Sequence, residues 1–465
     1  MRTPTLPLDA PPRPAAGSRW GLPLLLVAHL SRPRPGGSGS RAVLILPLVA
    51  FAAATALTLT VLAGVIMFLG WEGHELDIYP TVAGLAGAIL VIPLLSLGAA
   101  AARLSAHRRD DRLATLRLLG ATSGTVSAMT VMESAMIAFG GALLGTLLYG
   151  VGLPLVGLLS FGGAPIGAAA LMLSPLVIVG VVAGMTALAA LSAVLSVRRV
   201  VISPLGVRMR RDAPPLRRWH FVVAGAVILL AVGALQVMQA GTSLLVMRVT
   251  FIGGFAAGIG VLNLLGPLVI AAIARSQVKR VKTPERLIAL RQVLESPAAT
   301  WRQVGGVAVT CFVAVVAGSG LGLISQVPNG DLDEPSRVLF SDMSTGIVLT
   351  IAMSFLMVAC SVGVGQAAAV YDRADLYRSL HLLGMPDLMV SRARRRAVLA
   401  PLRWTVIVSV LVAGVLVFPL VGLAVVLAPL SVLTIALSLV GGVGFVWLGV
   451  WATEPIVRAV VGAAE

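Results

Sequence analysis

The sequence predicts an all-α integral membrane protein with about ten transmembrane helices. Three observations carry this expectation. First, only 12% of the 465 residues are charged and 58% are hydrophobic, with a mean hydropathy of +0.98. A soluble chain carries about 25% charged residues. Second, apolar stretches recur near residues 42–69, 81–102, 123–157, 172–197, 220–239, 247–274, 303–325, 341–369, 401–427 and 431–453. Each is long enough to cross a hydrocarbon layer of about 30 Å, which takes roughly 20 residues of helix. None alternates apolar with polar residues, as the strands of a membrane barrel do. Third, charge is segregated. All Lys and Arg except Arg248 and Arg337 fall in the terminal segments or in the connections around 103–117, 198–218, 275–302 and 373–403, which share one side of the ten-span layout. The opposite connections hold Glu72, Glu75, Asp77, Asp331, Asp333, Glu334 and Asp342.

Taken in order, residues 1–41 form an N-terminal segment in which "GLPLLLVAHL" (21–30) reads as an interfacial helix. It is followed by "SRPRPGGSGSR" rather than a small-residue cleavage site, so it is not read as a removed signal. Residues 42–211 hold four spans, 212–283 two linking spans, and 284–465 a second interfacial helix with four more spans. The positive-inside rule places both termini in the cytoplasm. Arginine-rich, lysine-poor usage points to a bacterial cell membrane. The net charge of +16 lies beside the membrane, where it attracts anionic lipid headgroups rather than nucleic acid. Cys311 and Cys360 fall inside spans, as buried free thiols. Trp20, Trp71, Trp219, Trp301 and Trp404 fall near span ends, as an aromatic belt does. Gly141-x-x-x-Gly145 and Gly254-x-x-x-Gly258 suit close helix packing within the chain.

The chain repeats itself. Gly120 and Gly384 lie 264 residues apart, and the same offset aligns Leu118-Leu119 with Leu382-Leu383, Asp111 with Asp375 and Arg109 with Arg373. It also aligns "HLSRP" (29–33) with "VLESP" (293–297), each just ahead of a span. Six spans separate equivalent positions, an even number. The two four-span halves are therefore expected to run parallel, about an axis along the membrane normal.

Between the second and third spans of each half sits a short charged helix. In the first copy Leu113, Leu116 and Gly120 share one face, opposite Arg108, Arg109, Asp111 and Arg112. In the second, Leu376, Leu380 and Leu383 form the apolar face, near Arg373. Gly120 and Gly384 suit the left-handed residue that ends a helix. Pro386 and Asp387 then begin the next one. The residues alone admit two readings: a solvated interfacial loop, or a docking element for a cytoplasmic partner.

Motifs of chemistry are absent. A phosphate-binding loop needs G-x-x-x-x-G-K-[ST], and neither Lys279 nor Lys282 follows a glycine. The histidines at 29, 74, 107, 220 and 381 are scattered near span ends and form no metal spacing. An ion-coupled carrier keeps ionisable groups in its spans. Here Glu133 is the main candidate, expected either at the interface or paired with Arg392, Arg394, Arg395 and Arg396 of the other half.

The stretch Arg112, Ala114, Leu116, Arg117, Leu119, Gly120, Ala121, Thr122, followed by a span with an early Glu133 and spaced Gly141 and Gly145, resembles the FtsX-like permease domain of MacB-type ABC transporters. The resemblance covers residues 81–211 and, more weakly, 341–461. It implies two such domains fused in one chain. It also implies that 103–120 and 370–384 are coupling helices docking on a separate ABC ATPase, in two copies per chain. Arg109, Arg112, Leu113, Leu116, Arg117 and Gly120 would make the first contact; Arg373, Leu376, Leu380, Leu383 and Gly384 would make the second. This chain would then bind no cofactor and catalyse nothing itself, with ATP and magnesium used by the partner. The implied function is export or extraction of a hydrophobic or amphipathic substrate such as a drug, antimicrobial peptide or lipid. The second copy departs from the pattern at His381, Met385 and Pro386, and Ala397 falls opposite Glu133. Family members often carry a large external domain; here segments 70–80 and 326–340 are short. Two other classes stand beside this reading: an ion-coupled secondary transporter with parallel repeats, and a signalling subunit that transmits motion to an extracellular partner.

Overall fold

Long apolar runs fold as helices because nothing in a bilayer core can satisfy a backbone N–H or C=O except the segment's own hydrogen bonds. The computed structural model describes residues 38–71, 78–106, 123–202, 244–324, 333–372, 387–418 and 429–451, with isolated residues between 219 and 233, Ser379 and 421–422. The first half comprises α1 (Ser38–Leu69), α2 (Ile78–Ala106), α3 (Ser123–Val156) and α4 (Pro175–Ile202). A hairpin of β1 (Ser160–Phe161) and β2 (Ala164–Pro165) joins α3 to α4, with a 3-10 turn at Ala169–Leu171. Then follow α5 (Leu244–Val278), α6 (Pro284–Glu295), α7 (Pro297–Ile324), α8 (Glu334–Asp372), α9 (Asp387–Leu416) and α10 (Pro429–Trp451).

Eight described helices are long and apolar enough to cross a membrane, and α10 adds a shorter apolar stretch at Ile435–Trp451. The expected span at 220–239 lies largely outside the described residues. Several hydroxyl groups within the spans donate to their own helix: Thr58 to the Ala54 carbonyl, Thr146 to Ala142, Thr310 to Gly306 and Ser409 to Thr405. Large side chains along the outer faces of α3 and α9 stay exposed, among them Leu147, Val151, Leu155, Ile407, Leu411 and Val415. In a bilayer these meet lipid tails.

Packing divides into two four-helix units. In the first, α1 packs on α2 and α3, and α4 on α2 and α3. In the second, α7 packs on α8 and α9, and α10 on α7 and α8. α5 leans on α7 and α9, and α6 fills the angle between α5 and α9. α7 is enclosed along most of its length, with Val304, Val307, Ala308, Cys311 and Phe312 fully buried.

The glycine motifs act within the chain. A Cβ on Gly145 would lie 2.5 Å from the Ala52 carbonyl oxygen and 2.7 Å from Thr55 Cβ; one on Gly141 would lie 2.8 Å from the Leu48 carbonyl. These two glycines let α3 and α1 meet backbone to backbone. In the other motif only Gly258 is needed, seated against Phe312, while Gly254 faces open space.

Three sequence expectations are corrected. The outer segment 326–340 was expected to be wholly a connection; instead α8 begins at Glu334, with Pro335 in its first turn, where a missing N–H costs nothing. Asp342, counted among the outer-loop acids, therefore lies inside α8 and is 5% exposed. Trp301 is not a belt residue: it is buried in the core, its Nε1 donates to Asn263 Oδ1 at 3.1 Å, and its ring covers Gly266 and Gly305. The break at Ser296 between α6 and α7 turns the start of α7 inward beneath α5, which brings the indole there.

Candidate functional site

The two halves meet chiefly along α2 and α8. Tyr79 near the start of α2 reaches Asp342, and Ser96 further along reaches Ser361, so the helices run parallel. The partners are separated in sequence by 263 and 265 residues, one either side of the 264-residue repeat. Each residue thus touches the immediate neighbour of its counterpart, which is what an axis running between two parallel equivalent helices produces. The packing is reciprocal too: α1 leans on α8 as α7 leans on α2.

At one end of this pair, beside the acidic residues Asp333 and Glu334, a polar and aromatic latch closes the interface. Asp342 Oδ2 accepts from the Tyr79 hydroxyl at 2.6 Å and from the Gly162 backbone N–H at 2.6 Å. The sequence builds each part locally. Gly162 and Gly163 have φ of 64° and 79°, the conformation a two-residue hairpin turn requires and glycine supplies without strain. That turn aims the Gly162 N–H at α8. Phe161 then meets Phe68 edge-on at 5.1 Å, Phe68 meets Trp71 at 5.2 Å, and Trp71 meets Tyr79 at 5.2 Å. The end of α1, the start of α2, the hairpin and the start of α8 are thus held at one point.

The other end is basic. Arg275, Lys279, Arg280, Arg286, Arg291, Arg302, Arg392, Arg396 and Arg403 are all exposed there. A cavity of about 220 Å³ opens between Ala100 of α2, Gln292 of α6, Thr300 and Gln303 of α7, Gln366 of α8 and Arg394 of α9. Both unions of second with third span lie at this end: α2 with α3 across residues 107–122, and α8 with α9 across 373–386.

The expected contact residues Arg109, Arg112, Leu113, Leu116, Arg117 and Gly120, and Arg373, Leu376, Leu380, Leu383 and Gly384, lie outside the described residues. Glu133 is half-buried on α3, which packs chiefly on α1 and α4. Arg392 and Arg396 are exposed on α9, and Arg395 is half-buried there. Arg396 Nη1 donates to Glu285 Oε2 at 2.5 Å, tying α9 to α6. Its partners are 44% and 14% exposed. Replacing Glu285 by glutamine is therefore expected to cost about 0–1 kcal/mol in thermal unfolding, the usual worth of a solvent-screened pair. Tyr79 and Gly162 went unassigned in the sequence reading and Asp342 was placed among the loop acids, although the Gly162-Gly163 doublet between two spans is itself a hairpin signal. Among the described residues no cluster of His, Cys, Asp and Glu is arranged to hold a metal ion.

The FtsX-like permease C-terminal family matches residues 84–205. The match spans most of α2, the segment after it, α3, the hairpin and α4. No curated protein and no solved structure matches the chain. The chain is thus a multi-pass helical membrane protein whose first half carries a segment similar to the FtsX-like permease C-terminal domain.

Proposed function

We propose that this chain couples ATP hydrolysis by a separate ATPase to export or extraction of a hydrophobic or amphipathic substrate, and that it carries both permease halves. The single observation behind this is the parallel packing of α2 on α8 within one residue of the repeat offset. With residues 84–205 matched by the permease family, that packing supports reading the other half as its counterpart. The basic end is cytoplasmic by the positive-inside rule. Each half then presents one segment to the cytoplasm between its second and third spans, 107–122 and 373–386. Two copies of an ATPase, approaching along the same axis, would each meet one. Closure of the ATPases on ATP pushes these segments, and the rigid spans on either side carry the motion to the α2–α8 interface. The membrane is the bacterial cell membrane.

The test is affinity purification of the tagged chain in mild detergent, followed by an ATPase assay. The expected result is a co-purifying ATPase whose activity is lost in Gly120→Pro, which breaks the helix end, and in Leu116→Asp, which puts a charge on its apolar face. A chain that purifies alone and moves substrate on an ion gradient would instead be a secondary transporter, for which Glu133 and Asp342 are the intramembrane carboxylates in hand.

A further inference from the structure

We infer that the cavity at the basic end is a binding site for a phosphoryl anion: the headgroup phosphate of an anionic phospholipid, or free phosphate.

The lining has the chemistry of an anion site. Arg394 contributes from α9 and is 4% exposed; Arg302 contributes from α7. Gln303, Gln366, Thr300 and Ser361 surround them with amide and hydroxyl groups, and Gln366 is itself 4% exposed. Among the described residues that line the cavity none is acidic. A guanidinium fork matches the oxygens of phosphate, and amides and hydroxyls complete such a shell or hydrogen-bond a polyol headgroup.

Size limits the occupant. At about 220 Å³, the cavity falls below the roughly 300–1,000 Å³ of sites that enclose drug-sized ligands. It accommodates a headgroup and leaves acyl chains outside. Position agrees. One wall comes from α6, whose buried Ala289, Leu290 and Val293 face the bundle while Arg286 and Arg291 face outward. Such a helix lies at headgroup depth, and basic pockets between spans at that depth take anionic headgroups. The cavity also lies between α8 and α9, the two helices joined by segment 373–386. Its occupant would brace the span pair that the ATPase is proposed to push. The site itself rests on the geometry and stands or falls without that reading.

The test uses the purified full chain in a non-phospholipid detergent and reads the thermal unfolding midpoint. Phosphatidylglycerol, phosphatidylcholine and inorganic phosphate are titrated separately. Two variants run alongside: Arg394→Gln, which removes the buried cation, and Ala397→Leu, which fills the cavity and leaves every polar group in place. Phosphatidylglycerol is expected to raise the midpoint where phosphatidylcholine does not. Both variants should raise the half-saturating concentration about tenfold or more, the worth of one charge-assisted contact. If inorganic phosphate alone gives the same variant-sensitive rise, the site holds and its source is soluble. Equal stabilisation by both lipids, or a rise that survives both variants, overturns it. Should Arg394→Gln fail to fold, Ala397→Leu decides by itself.

Discussion

Asp342→Ala is expected to release the acidic end of the α2–α8 interface and to destabilise the chain by about 2–4 kcal/mol. The carboxylate is 5% exposed and serves two donors at once, the Tyr79 hydroxyl and the Gly162 N–H. Truncation leaves both without an acceptor, and an unmade buried hydrogen bond costs more than a made one contributes. Because the donors come from α2 and from the hairpin, the loss spreads to both of these parts of the first half. Thermal unfolding measures the cost, and limited proteolysis near residues 160–165 reports the freed hairpin. Asp342→Asn keeps an acceptor oxygen and should cost less. In a double-mutant cycle with Tyr79→Phe, the two changes should be sub-additive by about 1–2 kcal/mol, since they remove the same bond. An Asp342→Ala protein as stable as the parent would mean that the aromatic cluster alone holds this end. The latch also bears on mechanism: if the halves part along α2 and α8 during the proposed ATPase cycle, this contact has to break together with the Ser96–Ser361 bond, and Asp342→Ala should then lower the barrier to opening while it lowers stability.

The second large effect is expected at Gly145. Alanine there adds one carbon, and that carbon would sit 2.5 Å from the Ala52 carbonyl oxygen. Backbone cannot rotate away as a side chain can, so α1 and α3 must separate. Their separation also disturbs the packing of Phe51, which is fully buried between them. Overpacking of this kind costs about 1–3 kcal/mol, and backbone contact puts it toward the upper end. Gly150→Ala is the control. It lies on the same helix a few residues on, with nothing within 4 Å of its Cβ position, and its effect should stay within about 0.5 kcal/mol. The comparison is read in thermal unfolding and in the monodisperse fraction on gel filtration. Equal tolerance at both sites would show that α1 and α3 do not pack as described.

Much of this architecture was legible in the residues. Burial in hydrocarbon obliges each apolar run to close its own hydrogen bonds, so spans at 123–157 and 247–274 became α3 and α5 with ends shifted by only a few residues. The glycine pair at 141 and 145 was readable as a packing face because only a missing Cβ allows that approach. The 264-residue offset was readable from spaced landmarks, Leu118-Leu119-Gly120 against Leu382-Leu383-Gly384. Boundaries were harder where charge interrupts a helix. α9 starts at Asp387, as Pro386 and Asp387 signal, but its apolar run begins only near 401, because Arg392, Arg394, Arg395 and Arg396 interrupt the hydropathy without breaking the helix.

By itself, then, the sequence determined a multi-span helical bundle, its uneven charge and the permease-like segment in its first half. These follow from composition, periodicity and local order, and none depends on which helices touch. Only the tertiary structure decided which residues stand at the join. Asp342 reads as a loop acid until α8 extends to Glu334 and turns it toward Tyr79. Trp301 reads as a belt residue until the break at Ser296 carries it under α5. Arg394 is one arginine of four until α6, α7, α8 and α9 enclose it beside a cavity. Pairings across 263 or 265 residues leave no mark in the local pattern of either partner, since each partner's sequence need only favour its own helix. What they become together depends on the packing of distant segments.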